Sequence, residues 1–357
     1  MKRYAMVLYA VLPLVMAIEV GAQTPSVVPK KVHKIAIGGE GGWDYLTADS
    51  AAQRLYVSRG NRIVVVDTDS EKTVGELTDT AGVHGVAVVP DLGRGFTSNG
   101  GDDTVTAFDL KTLKATGKVK VGSRPDAIMF DPSSHLVFTY NHGSKDATAV
   151  DPSALSVAGT VALDGVPEAA VADGRGHVFV NIMDKNEVVE FDARSFRVLN
   201  RWSLAPGTRP TGLALDSQLR RLFSVCSGSQ TMVVLDADNG KVLARLPIGR
   251  GSDGCVFDPQ RGLAFSSNGG DGTLTVVKEE TPGRFDVVAT IPTQQGARTM
   301  ALDPKTHRIY LSAATSAPSA EAKTKDQAKT APVGKRGGGG RGRNMVPGSF
   351  VVLVVGD

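Results

Sequence analysis

Leu55-Tyr56-Val57-Ser58, followed a few residues later by Ile63-Val64-Val65-Val66-Asp67, reads as two short β-strands, the first with an aromatic residue in second place. The first strand recurs as Gly95-Phe96-Thr97-Ser98, Val137-Phe138-Thr139-Tyr140, Val178-Phe179-Val180-Asn181, Leu222-Phe223-Ser224-Val225, Ala264-Phe265-Ser266-Ser267 and Ile309-Tyr310-Leu311-Ser312. The aromatic residues stand at 56, 96, 138, 179, 223, 265 and 310, in steps of 40 to 45 residues. Chance does not readily hold an aromatic at one strand register seven times. A period near 42 with several strands per unit is the mark of a β-propeller.

Two columns of aspartate support the register. Asp67, Asp109, Asp151, Asp192 and Asp236 each close the strand after the aromatic one, where a carboxylate can bond backbone N–H groups of the following turn. Blade six has Lys278 there instead. Asp49, Asp131, Asp173, Asp216, Asp258 and Asp303 mark the turn between the first two strands of a blade, three of them followed by proline. Each unit therefore reads as four antiparallel strands, A to D. The seventh supplies A (297–303), B (308–313) and, after an insertion, C (349–355), and then the sequence ends. The segment 32–38 resembles the D strands of other blades, so it is expected to complete the last one. That pairing removes the open edges that invite aggregation. The predicted fold is all-β: one seven-bladed propeller over 32–357, sealed by its N-terminal strand.

Composition agrees. With 41 Gly, 18 Pro, 22% charged and 41% hydrophobic residues among 357, the chain is neither collagen-like, nor a coiled coil, nor mostly disordered. Lys2 and Arg3, an apolar run from about residue 6 to 18 and Val20-Gly21-Ala22 form the three parts of a secretory signal over 1–22. The run is too short for a membrane span, and 23–31 reads as a linker. The mature protein is expected to be a periplasmic or secreted monomer. Its two cysteines, Cys226 and Cys255, on neighbouring blades, would then form either a disulfide or two separate buried thiols. Residues 314–348 are low in complexity and end in an Arg-Gly tract, and they are expected to form a disordered basic insertion of net charge +5. Residues 1–22 add +1, which leaves −3 of the formal +3 for the body and argues against a nucleic-acid surface there.

The strands Leu55-Tyr56-Val57-Ser58 and Val178-Phe179-Val180-Asn181, with the following Val-x-Val-x-Asp strand, resemble the YVTN-type propeller repeat, and the chain resembles the secreted YncE-like proteins of bacteria. The resemblance covers roughly 32–313 and 349–357. It implies the fold and no single reaction, because similar propellers include DNA-binding, lactone-hydrolysing and quinoprotein-associated members. No blade ends in Trp-Asp, so a WD40 array fits less well.

Chemistry is expected where the D-to-A connections and B-to-C hairpins meet the central channel. Five residues before the A–B turn column, the blades carry Asp44, His84, Asp126, Glu168, Thr211, Asp253 and Arg298. Four carboxylates around one narrow mouth repel one another and need a cation, protons or a basic ligand. Otherwise water and backbone N–H groups must satisfy them. Asp126, Glu168, Asp253 and His84 are the candidate ligands of a divalent metal: calcium if oxygen donors prevail, zinc or another transition metal if histidine takes part. His142, in the Asn141-His142-Gly143 hairpin, is a further histidine that would help His84. The hairpin Ser98-Asn99-Gly100-Gly101-Asp102 recurs as Ser267-Asn268-Gly269-Gly270-Asp271, and Asn-Gly predicts a tight primed turn with positive φ at both positions.

No Gly-x-Ser-x-Gly, phosphate loop, His-Glu-x-x-His or Cys-x-x-Cys is found. Gly38-Gly39-Glu40-Gly41-Gly42 leads into another strand rather than a helix, which fits a connection into blade one. Three functions remain. The favoured one is a binding or scaffold module taking a small molecule, metal or protein at the mouth. The second is a metal-dependent hydrolase of the lactonase type, with His84 or a carboxylate as base. The third binds nucleic acid or another polyanion through 314–348.

Overall fold

The structure, a computed structural model, describes residues 28–317 and 345–357. The expected signal peptide, the start of the linker and most of the basic insertion lie outside the described residues. The described residues form seven sheets of four antiparallel strands. Each A strand packs beside the A strand of the next blade, and blade seven returns to blade one, which makes a ring. Among the described residues no helix is long and apolar enough to cross a membrane.

Blade one shows the pattern: A is Trp43–Asp49, B is Arg54–Arg59, C is Arg62–Asp67 and D is Lys72–Leu77. B and C alternate residues between two neighbouring blades and are buried on both faces, which is why they are rich in β-branched and aromatic residues. D faces solvent and is mostly exposed. All seven aromatics of the repeat column are buried. Some meet rings of the next blade, as where Tyr56 packs against Phe108 at 6.1 Å and Phe138 against Phe191 at 5.5 Å. Both aspartate columns cap turns: Asp49 Oδ1 accepts from the N–H groups of Ala51 and Ala52, and Asp109 Oδ1 from those of Lys111 and Thr112.

Blade seven is closed as expected, with strand bounds shifted by up to three residues. Its own strands are Met300–Asp303, Arg308–Ala313 and Val351–Gly356, and Lys31–Ala36 pairs with the last, Lys31 opposite Gly356 and Ala36 opposite Val351. The glycine loop that follows is pinned by Arg59. Its guanidinium is wholly buried, donates to the carbonyls of Gly38, Gly39, Gly41 and Gly42 at 2.6 to 3.3 Å, and lies 3.9 Å from the centre of the Phe350 ring. Positive φ at Gly38, Gly39 and Gly41 shapes this loop, a conformation L side chains rarely adopt. Burial, with Arg62 nearby, pulls the Arg59 pKa down to about 10. The glycines thus serve a cation of the protein itself, not a phosphate.

The Asn-Gly turns differ from expectation. Neither Asn99 nor Gly100 has positive φ; Asp103 does, at 56°. Asn99 is instead the buried last residue of strand B, and its Nδ2 donates to Thr104 Oγ1 and Thr106 Oγ1 of strand C. Asn268 does the same with Thr273 and Thr275. The repeated asparagine is a strand-to-strand clamp, and the turn lies just beyond it.

Candidate functional site

The seven residues of the ring position do not lie in regular strand. In blades one to six the A–B register shifts at this point, between Trp43 and Leu46 in blade one, Pro125 and Ile128 in blade three and Ser252 and Cys255 in blade six. A bulge puts two residues opposite one, bends the strand and re-aims side chains. In blade seven, strand A starts only at Met300, after Arg298. The ring therefore sits where the inner strands leave their ladders.

A bulge frees backbone groups that must be satisfied elsewhere. In several blades a short polar side chain does this, commonly the residue two after the column aromatic. Ser58 Oγ accepts from Asp44 N–H and donates to the Tyr45 carbonyl at 3.0 Å. Ser98 Oγ accepts from Gly85 N–H and donates to the Asp126 carbonyl of the next blade. Asn181 Nδ2 donates to the carbonyls of Thr211 and Gly212, and Thr299 Oγ1 of blade seven to that of Asp44. Ser58 thus holds the bulge of its own blade, while Ser98, Asn181 and Thr299 each hold the inner strand of the next blade.

Side chains on one arc of the mouth converge. His84 Nδ1 lies 2.7 Å from Asp44 Oδ2 and 3.3 Å from Asp126 Oδ1. His142 Nε2 lies 3.1 Å from Asp126 Oδ2 and 3.8 Å from Glu168 Oε2. All five side chains are largely buried. Asp44, His84 and Asp126 form one group, and Asp126, His142 and Glu168 another, whose donor atoms lie within 4.8 Å of one another. Imidazole nitrogen with carboxylate oxygen is the donor mixture of borderline transition metals, and two histidines would be unusual for calcium. Burial is the largest influence on His142 and pulls its pKa down against the pull of Asp126, which favours the neutral ring a metal requires.

The other arc is occupied internally. Arg298 Nη1 donates to Asp253 Oδ2 at 2.8 Å and Nη2 to the Trp43 carbonyl at 2.8 Å. Thr211 Oγ1 donates to the Ser252 carbonyl at 3.1 Å. Asp253, expected as a metal ligand, thus stands opposite a guanidinium and belongs to neither donor group. His142 belongs to one. It pairs with Asp126 and Glu168 rather than sharing the place of His84.

Tyr45 was not foreseen as part of the site. It follows Asp44 in the bulge and packs against the core of blades three and four, across the channel. Burial first, then Asp126, Glu168, Asp44 and Asp253, hold its pKa well above the usual phenol range, so it stays a neutral hydroxyl among the carboxylates. An aromatic beside a ring carboxylate was its only signal in the sequence. Along the channel a cavity of about 160 Å³ is lined by Tyr45, small residues such as Gly85, Ala127 and Gly212, and Asp253 and Cys255. Cys226 and Cys255 are free, buried thiols.

No protein-family model matches the chain, and no curated protein matches its sequence. Among solved structures it is similar to a chain of "Kuenenia stuttgartiensis Hydrazine Synthase", with TM-score 0.68, 17% identity and coverage of 76% of this chain and 92% of that one. It is likewise similar to a chain of "Crystal Structure of Mitotic Checkpoint Complex", with TM-score 0.68, 15% identity and coverage of 86% and 95%. At such identities the likeness establishes the propeller fold alone.

Proposed function

We propose that this protein is an exported propeller of the YVTN-repeat kind that works as a binding module, taking up a divalent transition-metal cation at its channel mouth. One observation carries the reading: two histidines and three carboxylates from four blades converge within ligand distance at a mouth whose other arc has its charges matched. Asp44, Asp126 and Glu168 bring three negative charges into partly desolvated space, Arg298 stands 3.8 Å from Asp44 alone, and a divalent ion would offset the charge that remains. The export signal at 1–22 and the resemblance to YncE-like proteins support placing it in the periplasm or outside the cell.

Metal analysis of the full chain purified without chelators, and titration of the stripped chain with Zn²⁺ and Mn²⁺, test this. Uptake should occur with wild type and vanish in Asp126→Asn. Equal uptake by both would remove the mouth as the site. A second reading, hydrolysis of a lactone or ester by metal-activated water, draws support from the adjoining cavity, where a small substrate would have room. It predicts turnover of a lactone panel only with metal added and Asp126 intact.

A further inference from the structure

Asp126 is the one residue common to both donor groups, and its two oxygens face different histidines. Oδ1 is 3.3 Å from His84 Nδ1, and Oδ2 is 3.1 Å from His142 Nε2. Behind each histidine stands a second carboxylate, Asp44 at 2.7 Å on one side and Glu168 at 3.8 Å on the other. The order around the arc is carboxylate, imidazole, Asp126, imidazole, carboxylate, so each half offers one nitrogen and one carboxylate of its own besides one oxygen of Asp126. The five donors do not make one group with all atoms within 4.8 Å of one another; they make two groups joined at Asp126. A single ion needs every ligand at about 2.0–2.2 Å, so it serves one group and leaves the other's imidazole and carboxylate unused. His142 Nε2 is buried and makes no hydrogen bond of acceptable geometry, although Asp126 Oδ2 is near. A buried ring nitrogen aimed at carboxylates without a hydrogen bond is what a ligand nitrogen looks like before its ion is bound.

We infer that the mouth is a dinuclear centre: two divalent transition-metal ions, one held by Asp44 and His84, the other by His142 and Glu168, bridged by the carboxylate of Asp126. This rests on the reading that the mouth binds metal at all. A carboxylate spanning two ions through its separate oxygens places them about 3.5–4 Å apart, the spacing of two-metal sites. The ion charges exceed those of the three carboxylates, so the pair favours an anionic oxygen ligand between them, which a one-ion site would not.

Stripped full-length protein is titrated with Mn²⁺ or Co²⁺, and bound metal per chain is measured after desalting, with circular dichroism confirming the fold of each variant. Wild type should hold about two ions per chain, and Mn²⁺-loaded protein should show the exchange-coupled resonance spectrum of a bridged pair. His84→Ala and, separately, Glu168→Gln should each lower the count to about one and abolish the coupling. One ion per wild-type chain overturns the dinuclear centre and leaves the binding function standing. Two ions without coupling, or a count unmoved in both variants, also overturn it, because the ions then lie apart or elsewhere. No retained metal in wild type removes both proposals.

Discussion

Across blades one to four the ring position and its hairpin carry Asp44, His84, Asp126, His142 and Glu168, whereas across blades five to seven the ring position carries Thr211, Asp253 and Arg298. The backbone is the same in both arcs through blade six, a bulge on the inner strand. The composition of neighbours differs. In the second arc each polar group has an internal partner: Arg298 for Asp253, a carbonyl for Thr211. In the first, carboxylates alternate with imidazoles, and Arg298 reaches only its edge, 3.8 Å from Asp44 Oδ1, so protonation of an imidazole or a shared cation would be needed to match the remaining charge. A seven-fold scaffold is thus not a seven-fold site, because pairing is decided blade by blade.

The largest effect expected from this contrast is on metal affinity. Asp126→Asn should lower it by more than about 100-fold, since even outer-shell partners of a metal are worth roughly 10–100-fold. Asp253→Asn should change it by no more than about 3-fold, its charge being offset by Arg298 and screened. Calorimetric titration of both variants would merge the arcs into one site if the losses were equal.

Next in size is packing. A Cβ at Gly212 would meet Cys255 N at 2.4 Å and Gly254 C at 2.6 Å, both backbone, while one at Gly85 would meet the Ile128 Cγ2 methyl at 3.0 Å. Gly212→Ala is expected to destabilise by about 2–3 kcal/mol and Gly85→Ala by less than about 1 kcal/mol, as overpacking against rigid backbone is the harder case. Urea unfolding of the two variants gives the comparison, and equal losses would show that the arcs are packed alike.

Smaller still is the ion pair that quiets the second arc. A double-mutant cycle on Asp253→Asn and Arg298→Met should return a coupling of about 1 kcal/mol, the pair being only partly shielded from water. A coupling near zero would mean that Arg298 is held by the Trp43 carbonyl and ring and by Asp44 rather than by Asp253.

The smallest effect is on the thiols of blades five and six. Burial pushes Cys226 up to about 12, and Cys255 higher. Native protein at pH 8 should therefore resist iodoacetamide while denatured protein takes up two equivalents. The unfolded chain releases these protons near the ordinary thiol value of 9.0, whereas the native chain keeps them to higher pH. Their share of stability is accordingly present below about pH 9 and is lost as pH rises beyond it. Fast alkylation of the native state would show that this arc opens to solvent.

Much of this was legible without coordinates because blades repeat. Tyr56, Phe96 and their five counterparts face the same environment in every sheet, so the same residue type returns at the same interval. The N-terminal strand could be assigned to blade seven because a blade with three strands leaves edges that one unassigned segment fits. The ring position is legible by counting back from the turn column, since the same five-residue step separates the two in every blade. Asn99 misled because Asn-Gly has two uses, and only the partners Thr104 and Thr106 distinguish a clamp from a turn.

Fold, strand order and closure are properties of a local pattern repeated along the chain, and local patterns survive in one dimension. Which ring residues share a proton, a salt bridge or an ion is not local: Arg298 takes Asp253 from 45 positions away, and His84 takes Asp44 from 40. In blades one to six a bulge turned the side chain by an amount no interval records, and Coulomb energy between partly buried groups changes steeply over the ångström or two that such a turn moves them.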